Sequence, residues 1–345
     1  MDFFSYSSEE RIGKDNDLIK IRDLIQWDRF AVLIKGLYKN EETDLGGQRP
    51  YDPIKMLRAT ILGQWHNLSD PELENALKIR LDFILFTGFS ITEKTPDETT
   101  LCRFRNRLTN KGLTDKILSE VNRQLEEYGL KVKSCKGAII DASVIESAAR
   151  PKRTIEVAQD RKEDEITDES RKQESEVIVK ESADKDARYL KKGKKFYFGY
   201  KVFVSVDSQG GYIQNTHTTP ANESEVVNLK NIINPGINRI YADKGYASED
   251  NRKMLKDKNI KDGIMSKASR GRELTPREKT RNKLISKVRY KVEQAFGTLK
   301  RKFQFSRARY FSTRKVHSEL NLKAVCFNLL KAIRKIVSVE VLKYE

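Results

Sequence analysis

Apolar residues recur with a helical period through the first third of the chain. Ile54, Leu57, Ile61, Leu62 and Trp65 form one run, and Leu73, Leu77, Leu81, Ile84 and Leu85 form a second. Between them, Ser69 or Asp70 offers an N-cap, Pro71 suits a first helical turn, and Glu72 and Glu74 favour the positive end of a helix. A second start signal, Thr95-Pro96-Asp97-Glu98-Thr99, precedes LCRFRNRLTNKGL, which places Leu101, Phe104 and Leu108 on one face and Arg103, Arg105 and Arg107 mostly on others. Residues 1–133 are therefore expected to form an all-helical amino-terminal domain.

At residue 137 the pattern changes from a helical period to strands. GAIID (Gly137–Asp141) is a short apolar run ending in a carboxylate, as a buried strand would. FYFGYKVFVSVD (196–207) is rich in aromatic and β-branched residues, and Ser208-Gln209-Gly210-Gly211 then turns the chain into YIQNTHTT, a hairpin signal. A helical stretch over 222–232 follows, then a strand at INRIYAD ending on Asp243, a helix over 249–258 and a short strand over 260–265. From about Thr275 the chain is strongly helical through Glu293 to Lys302. The last helix, His317 to Val339, carries a stripe of Leu320, Ala324, Phe327, Leu330 and Ile333. Between 146 and 195 acidic and basic residues alternate with few apolar ones, which predicts a solvated helix or a mobile insertion. Three antiparallel strands followed by alternating helices and strands describe an α+β, α/β ribonuclease H-like domain: a mixed sheet flanked by helices. The expected limits are 134–311 for this domain, with 312–345 as a helix packing on it.

Charge sharpens the picture. The chain of 345 residues carries 67 Lys and Arg against 50 Asp and Glu, a formal charge of +17, which favours a polyanionic partner through counterion release. The arginine-bearing helix at 98–110 is then either the solvated face of a bundle or a helix that docks on DNA. No apolar run approaches the ~20 residues of a membrane span, and MDFFSYSSEE lacks the form of a secretory signal. Cys102, Cys135 and Cys326 form no CxxC pair, so neither a zinc finger nor a disulfide framework is expected, and a reduced cytoplasmic setting is.

Asp141 and Asp243 end strands that would be neighbours in such a sheet, and Glu293 lies on a late helix. Phosphodiester cleavage requires an attacking oxygen, a leaving oxygen and neutralisation of the charge growing between them, which two Mg²⁺ ions on a few carboxylates supply. Asp207 also ends a strand, but it precedes a turn and turn chemistry accounts for it. Arg289, Glu293 and Lys300 are spaced to share one helical face. Glu293 is the single acid among the many cations between Arg281 and Lys315. His217 reads as a structural histidine, and His66 and His317 receive no role.

At this point the sequence resembles the DDE transposases of bacterial insertion sequences, specifically the InsH-like, IS-five-type group. The resemblance rests on YDPIKMLRATILGQWHNLSDPELENALKIRLDFILFTGF and TPDETTLCRFRNRL in the helical part, then DASVIESAAR, KKGKKFYFGYKVFVSVD, TPAN, YADKGY and RYKVEQAFGTLKR. It implies catalytic, metal-binding roles for Asp141, Asp243 and Glu293, with Mg²⁺ (or Mn²⁺ in its place). It also implies DNA-phosphate contacts at Arg289 and Lys300, to which the basic residues Lys244, Arg301, Arg103 and Arg107 are added as candidates. The group's Tyr-Arg-Glu-Lys signature is matched at Arg289, Glu293 and Lys300, whereas its tyrosine position holds Ser286, with Tyr290 out of register. The implied activity is cleavage at an element's terminal inverted repeats and joining of the 3′-hydroxyls to target DNA, by a homodimer or larger synaptic complex at the nucleoid. A nuclease of the same fold that cuts without joining, or a domesticated DNA-binding protein without catalysis, would share much of this sequence.

Overall fold

Capping chemistry marks out the amino-terminal helices of the computed structural model, which describes residues 3–38, 50–132, 137–151, 153–157 and 176–341. They are α1 (Phe3–Ile12), α2 (Asp17–Leu24), α3 (Arg29–Ile34), α4 (Pro53–Trp65), α5 (Asp70–Ile79), α6 (Leu81–Thr87), α7 (Glu98–Asn110) and α8 (Leu113–Glu127). Ser69 caps α5 in a reciprocal box with Glu72, and the Asp97 carboxylate accepts from the Thr100 N–H at the start of α7. Leu101, Phe104 and Leu108 are buried while Arg103 and Arg107 are exposed, as the helical period predicts.

The strands are β1 (Gly137–Glu146), β2 (Arg153–Val157), β3 (Glu176–Lys180), β4 (Arg188–Lys192), β5 (Lys195–Asp207), β6 (Ile213–Pro220), β7 (Arg239–Ala242) and β8 (Lys261–Ile264). The helices α9 (Glu225–Ile232) and α10 (Glu249–Asp257) alternate with the later strands, and α11 (Pro276–Arg301) and α12 (Thr313–Val341) follow. β1 lies at the centre, antiparallel to β5 with Asp141 opposite Val204, and parallel to β7 with Ile140 beside Ala242. β8 extends the sheet parallel to β7, and β6 and β4 share the outer edge of β5. An antiparallel run of three strands followed by two parallel crossover strands is the ribonuclease H-like arrangement.

Strand alternation sends the two faces of the sheet into different cores. Ala138, Ile140, Phe203, Ile240 and Ala242 pack with Leu229, Ile232 and Leu255 of α9 and α10. Ile139, Val202, Val204 and Val206 face the other way, into a core shared with α11, α12 and the amino-terminal helices. Complete burial of each such aliphatic chain contributes about 1.5–3 kcal/mol. The helix α12, expected to pack on the sheet domain, also lies against α4 and α8. The reason is that its buried surface runs almost all the way round, through Leu322, Val325, Cys326 and Leu329 besides the stripe.

The charged segment 146–195 departs from the sequence reading. Its described parts hold strands and no helix: β2 pairs with β3, and β4 pairs with the start of β5. Backbone pairing to β5 lets Arg188–Lys192 form a strand with almost no buried face. The segment also reaches the interior, where buried Asp184 accepts from the Ser147 hydroxyl at 2.6 Å and from the Tyr200 phenol at 2.5 Å. Residues 158–175, and Cys135, lie outside the described residues, and within the described residues no helix is long and apolar enough to cross a membrane.

Candidate active site

Parallel pairing of β1 and β7 places Asp141 and Asp243 side by side, one step beyond the Ile140–Ala242 pair. Both follow residues of the α9–α10 face, so alternation turns their side chains toward α11. There Arg289 meets them. Its guanidinium donates from Nη2 to Asp141 Oδ2 at 2.8 Å, and Nη1 stands 3.7 Å from Asp243 Oδ1. The arginine side chain is 10% exposed and those of Asp141 and Asp243 are 19% and 37% exposed. Burial pushes the Asp141 carboxyl above the ordinary carboxylate range; Arg289 and the Ala142 N–H oppose that, and the negative charge of Asp243 adds to it. Asp243 also caps the one-turn 3₁₀ helix Lys244–Tyr246 through the Lys244 N–H at 2.7 Å.

α11 is fixed by a capping box between Thr275 and Glu278 and by Arg281, which donates to the carbonyls of Ile264 and Asp262 at the end of β8. Its register puts Glu293 one turn beyond Arg289, a rise of about 5–6 Å, and Lys300 two turns further on the same side. Glu293 is exposed, and among the described residues it joins no cluster of three or more acids, histidines or cysteines close enough to hold a metal. Lys300 is half-buried, and burial together with Lys192 lowers its ammonium from the ordinary value. Lys244 is exposed directly after Asp243. Arg301 lies on another face of α11. Arg103 and Arg107 sit on α7, which packs against α4, α5, α8 and α12, with the Arg107 guanidinium 5.1 Å from the centre of the Tyr38 ring. His217 hydrogen-bonds Asn228 at 3.2 Å and stacks near Phe203, a structural setting.

Two further residues border the acids. Glu225, the first residue of α9, packs against the backbone beside Asp243, where a Cβ on Gly245 would collide with its carboxylate. Burial raises the Glu225 carboxyl, with Asp141 and Asp243 adding to the shift and Lys201 opposing it from 4.0 Å. Tyr246 is fully buried with a hydroxyl that makes no hydrogen bond, and burial holds its phenol well above the usual value. No spacing rule singles out Glu225 from the many surface acids. Its position at the start of the helix that leads from β6 to β7, the strand just before Asp243, was the available signal. The donor set of Asp141 and Asp243 fits a hard divalent cation: two carboxylates on one face, in mutual repulsion, balanced in this structure by a single positive charge.

Comparison with known proteins gives the family. Residues 136–329 match the model of the transposase DDE domain, and residues 6–107 match a second transposase domain, DUF772. The chain is 41% identical over 237 residues to the transposase for insertion sequence element IS1106 of Neisseria meningitidis serogroup B, covering 68% of this chain and 78% of that one. A piggyBac transposase, solved by cryo-electron microscopy as a synaptic complex with hairpin DNA, aligns over 96% of this chain and 77% of its own, with a TM-score of 0.43 and 10% identity. DDE transposases act on DNA and generally use divalent metal ions. With Asp141 and Asp243 paired at the centre of a ribonuclease H-like sheet, and more than half of its length matched by the domain model, the chain belongs to the DDE transposases of insertion sequences.

Proposed function

We propose that the protein cleaves the ends of its insertion sequence and joins the exposed 3′-hydroxyls to target DNA by phosphoryl transfer. The observation that carries this reading is the convergence of Asp141 and Asp243 on Arg289, two carboxylates and one cation on a single face of the sheet. Asp141, Asp243 and Glu293 are the ligands in this reading, Glu293 because its helical register puts it one turn from Arg289. Two Mg²⁺ ions (Mn²⁺ as substitute) held there would supply an activated attacking oxygen and neutralise charge at the leaving oxygen. Asp141 and Asp243, already paired, fix where the reacting phosphate sits. Arg289 is drawn from the carboxylates to a phosphate oxygen, and Lys300 and exposed Lys244 hold neighbouring phosphates in line. The exposed arginines of α7, Arg103 and Arg107, grip DNA near the terminal inverted repeats, with residues 1–133 as the end-binding domain. Handling two ends at once calls for a homodimer or larger assembly, working in the cytoplasm on nucleoid DNA.

The test is strand transfer in vitro with purified protein, Mg²⁺, a labelled duplex ending in the inverted repeat that flanks the gene, and a supercoiled target plasmid. Joined product that vanishes in Asp141→Ala is the expected result. Nicking without joining would assign a nuclease, and binding with neither would assign a non-catalytic DNA-binding protein.

A further inference from the structure

Glu225 is the first residue of α9, where an acid ordinarily stands in solvent and favours the positive end of the helix. Here the side chain folds back onto the one-turn helix that follows Asp243 and is only 30% exposed. One carboxylate oxygen occupies the space that a Cβ on Gly245 would fill, and the other faces Lys201 Nζ across 4.0 Å. The lysine donates instead to the Glu223 carbonyl, at 2.6 Å. Buried Asn251 donates to the carbonyls of Val226 and Tyr246, which ties the start of α9 to the same turn.

Such a setting disfavours a charge. Among the described residues no hydrogen bond reaches the Glu225 carboxylate, and Asp141 and Asp243 are near enough for their negative charges to act on it. A neutral amide would fill the same space with less penalty. Two buried tyrosines, Tyr212 and Tyr246, keep hydroxyls with no hydrogen-bond partner; the second lies beside Glu225, whose charge acts on its phenol. α9 packs on the face of the sheet opposite to the one toward which Asp141 and Asp243 turn. Glu225 therefore approaches the aspartates from behind the turn, out of line with ligands on the α11 side but within reach of their fields. Mg²⁺ keeps several waters when a few carboxylates bind it, and acceptors beyond the direct ligands orient such a shell.

We propose that Glu225 is a positioning residue for the catalytic cation: its carboxylate accepts a hydrogen bond from the hydration shell of the ion held by Asp141 and Asp243, and Gly245 and Lys201 fix where that carboxylate stands. This rests on the phosphoryl-transfer reading and adds to it a group outside the direct ligands. The negative charge that is unfavourable in the cation-free fold becomes favourable beside a dication.

The test uses the full chain without DNA and Mn²⁺ alone as the probe, with free Mn²⁺ counted by its electron paramagnetic resonance signal. Urea denaturation in EDTA runs beside it. Asp141→Asn, as the control, should abolish binding. Glu225→Gln should weaken Mn²⁺ binding by about 10–100-fold, with a urea midpoint in EDTA equal to or above that of wild type. Gly245→Ala has only to displace the tip of a flexible side chain. It should weaken binding to the same degree, and the double variant should lose no more than either single one. Wild-type Mn²⁺ affinity in Glu225→Gln would overturn the proposal, reduce Glu225 to a helix-start acid and leave the transposase reading standing. Weaker binding together with a lowered midpoint in EDTA would mark a loosened fold and overturn it as well. Loss as complete as in Asp141→Asn would overturn it in favour of a direct ligand. Failure of the wild type to bind Mn²⁺ would bring down the cation site and this proposal together.

Discussion

Arg289 holds a single positive charge between two carboxylates, and replacing it with methionine isolates that charge from the rest of the site. The guanidinium lies 2.8 Å from Asp141 and 3.7 Å from Asp243. At an effective dielectric of about 20, unit charges about 4 Å apart attract by about 4 kcal/mol. Desolvation of both groups offsets part of this, and deleting one partner of a buried pair costs about 3–5 kcal/mol. Asp243, with 37% of its side chain exposed, adds at most about 1 kcal/mol after screening. Methionine keeps much of the packing of the arginine stem, so the loss is electrostatic. Arg289→Met should therefore lower the unfolding free energy by about 3 kcal/mol in urea at neutral pH with EDTA present. Excess MgCl₂ should return part of that loss, because a dication replaces the missing positive charge and binds the folded state only. A loss below about 1 kcal/mol in EDTA would class Arg289 with surface charges and refute the argument; an equal loss with and without Mg²⁺ would refute the link to the cation site.

Other substitutions probe different parts of the molecule. Glu293→Gln should abolish Mg²⁺-dependent cleavage while leaving duplex affinity intact in a gel-shift assay; retained cleavage would shift the third-ligand assignment to Glu225, to be tried as Glu225→Gln. Lys323→Met should destabilise by about 3–5 kcal/mol, because it strips buried Glu319 of its partner and unties the lysine from Phe303 and Asn67. The double change Lys323→Met/Glu319→Leu should recover most of that, and thermal denaturation reads both. Burial pushes the Asp115 carboxyl up, but the hydrogen bond and charge of His317 pull it below its ordinary value on balance. Its contribution is thus complete above the unfolded pKa and lost as the pH falls through the lower folded one. Asp115→Asn should lose stability less steeply than wild type on the acid side of a pH–stability curve.

Most of the sheet could be read from the chain because each strand of the catalytic half carries its own local mark. GAIID ends on a carboxylate, and Ser208–Gly211 has turn chemistry. The pairing of Asp141 and Asp243 was legible because the order of elements makes their strands neighbours, although β1 runs on to Glu146 along its antiparallel pairing with β5, so Asp141 lies within its strand and not at its end as GAIID suggests. Other features were not legible in full. β4 is a strand through backbone pairing to β5 alone, with almost no buried side chains, and such pairing leaves no hydrophobic period to detect. Arg289 is marked in the sequence by its spacing to Glu293 and Lys300, but its inward turn toward Asp141 depends on the long-range placement of α11 against β1, which no local pattern encodes. Tyr212 likewise looks like an ordinary hairpin aromatic, since nothing in its neighbourhood in sequence reveals that its hydroxyl is stranded.

α12 closes the wall between the amino-terminal helices and the sheet, and it is translated after every element it covers. While the ribosome is still making that helix, Leu57, Leu62, Leu118, Val204 and Ile213 have no lid. A nascent chain therefore emerges as a sheet and a helical cluster with sticky faces turned outward, and the final consolidation waits for a single late segment. Premature stop codons anywhere upstream of α12 should consequently yield aggregates or substrates for proteolysis in place of a trimmed enzyme, and the same dependence makes the full-length transcript the unit on which catalysis hangs.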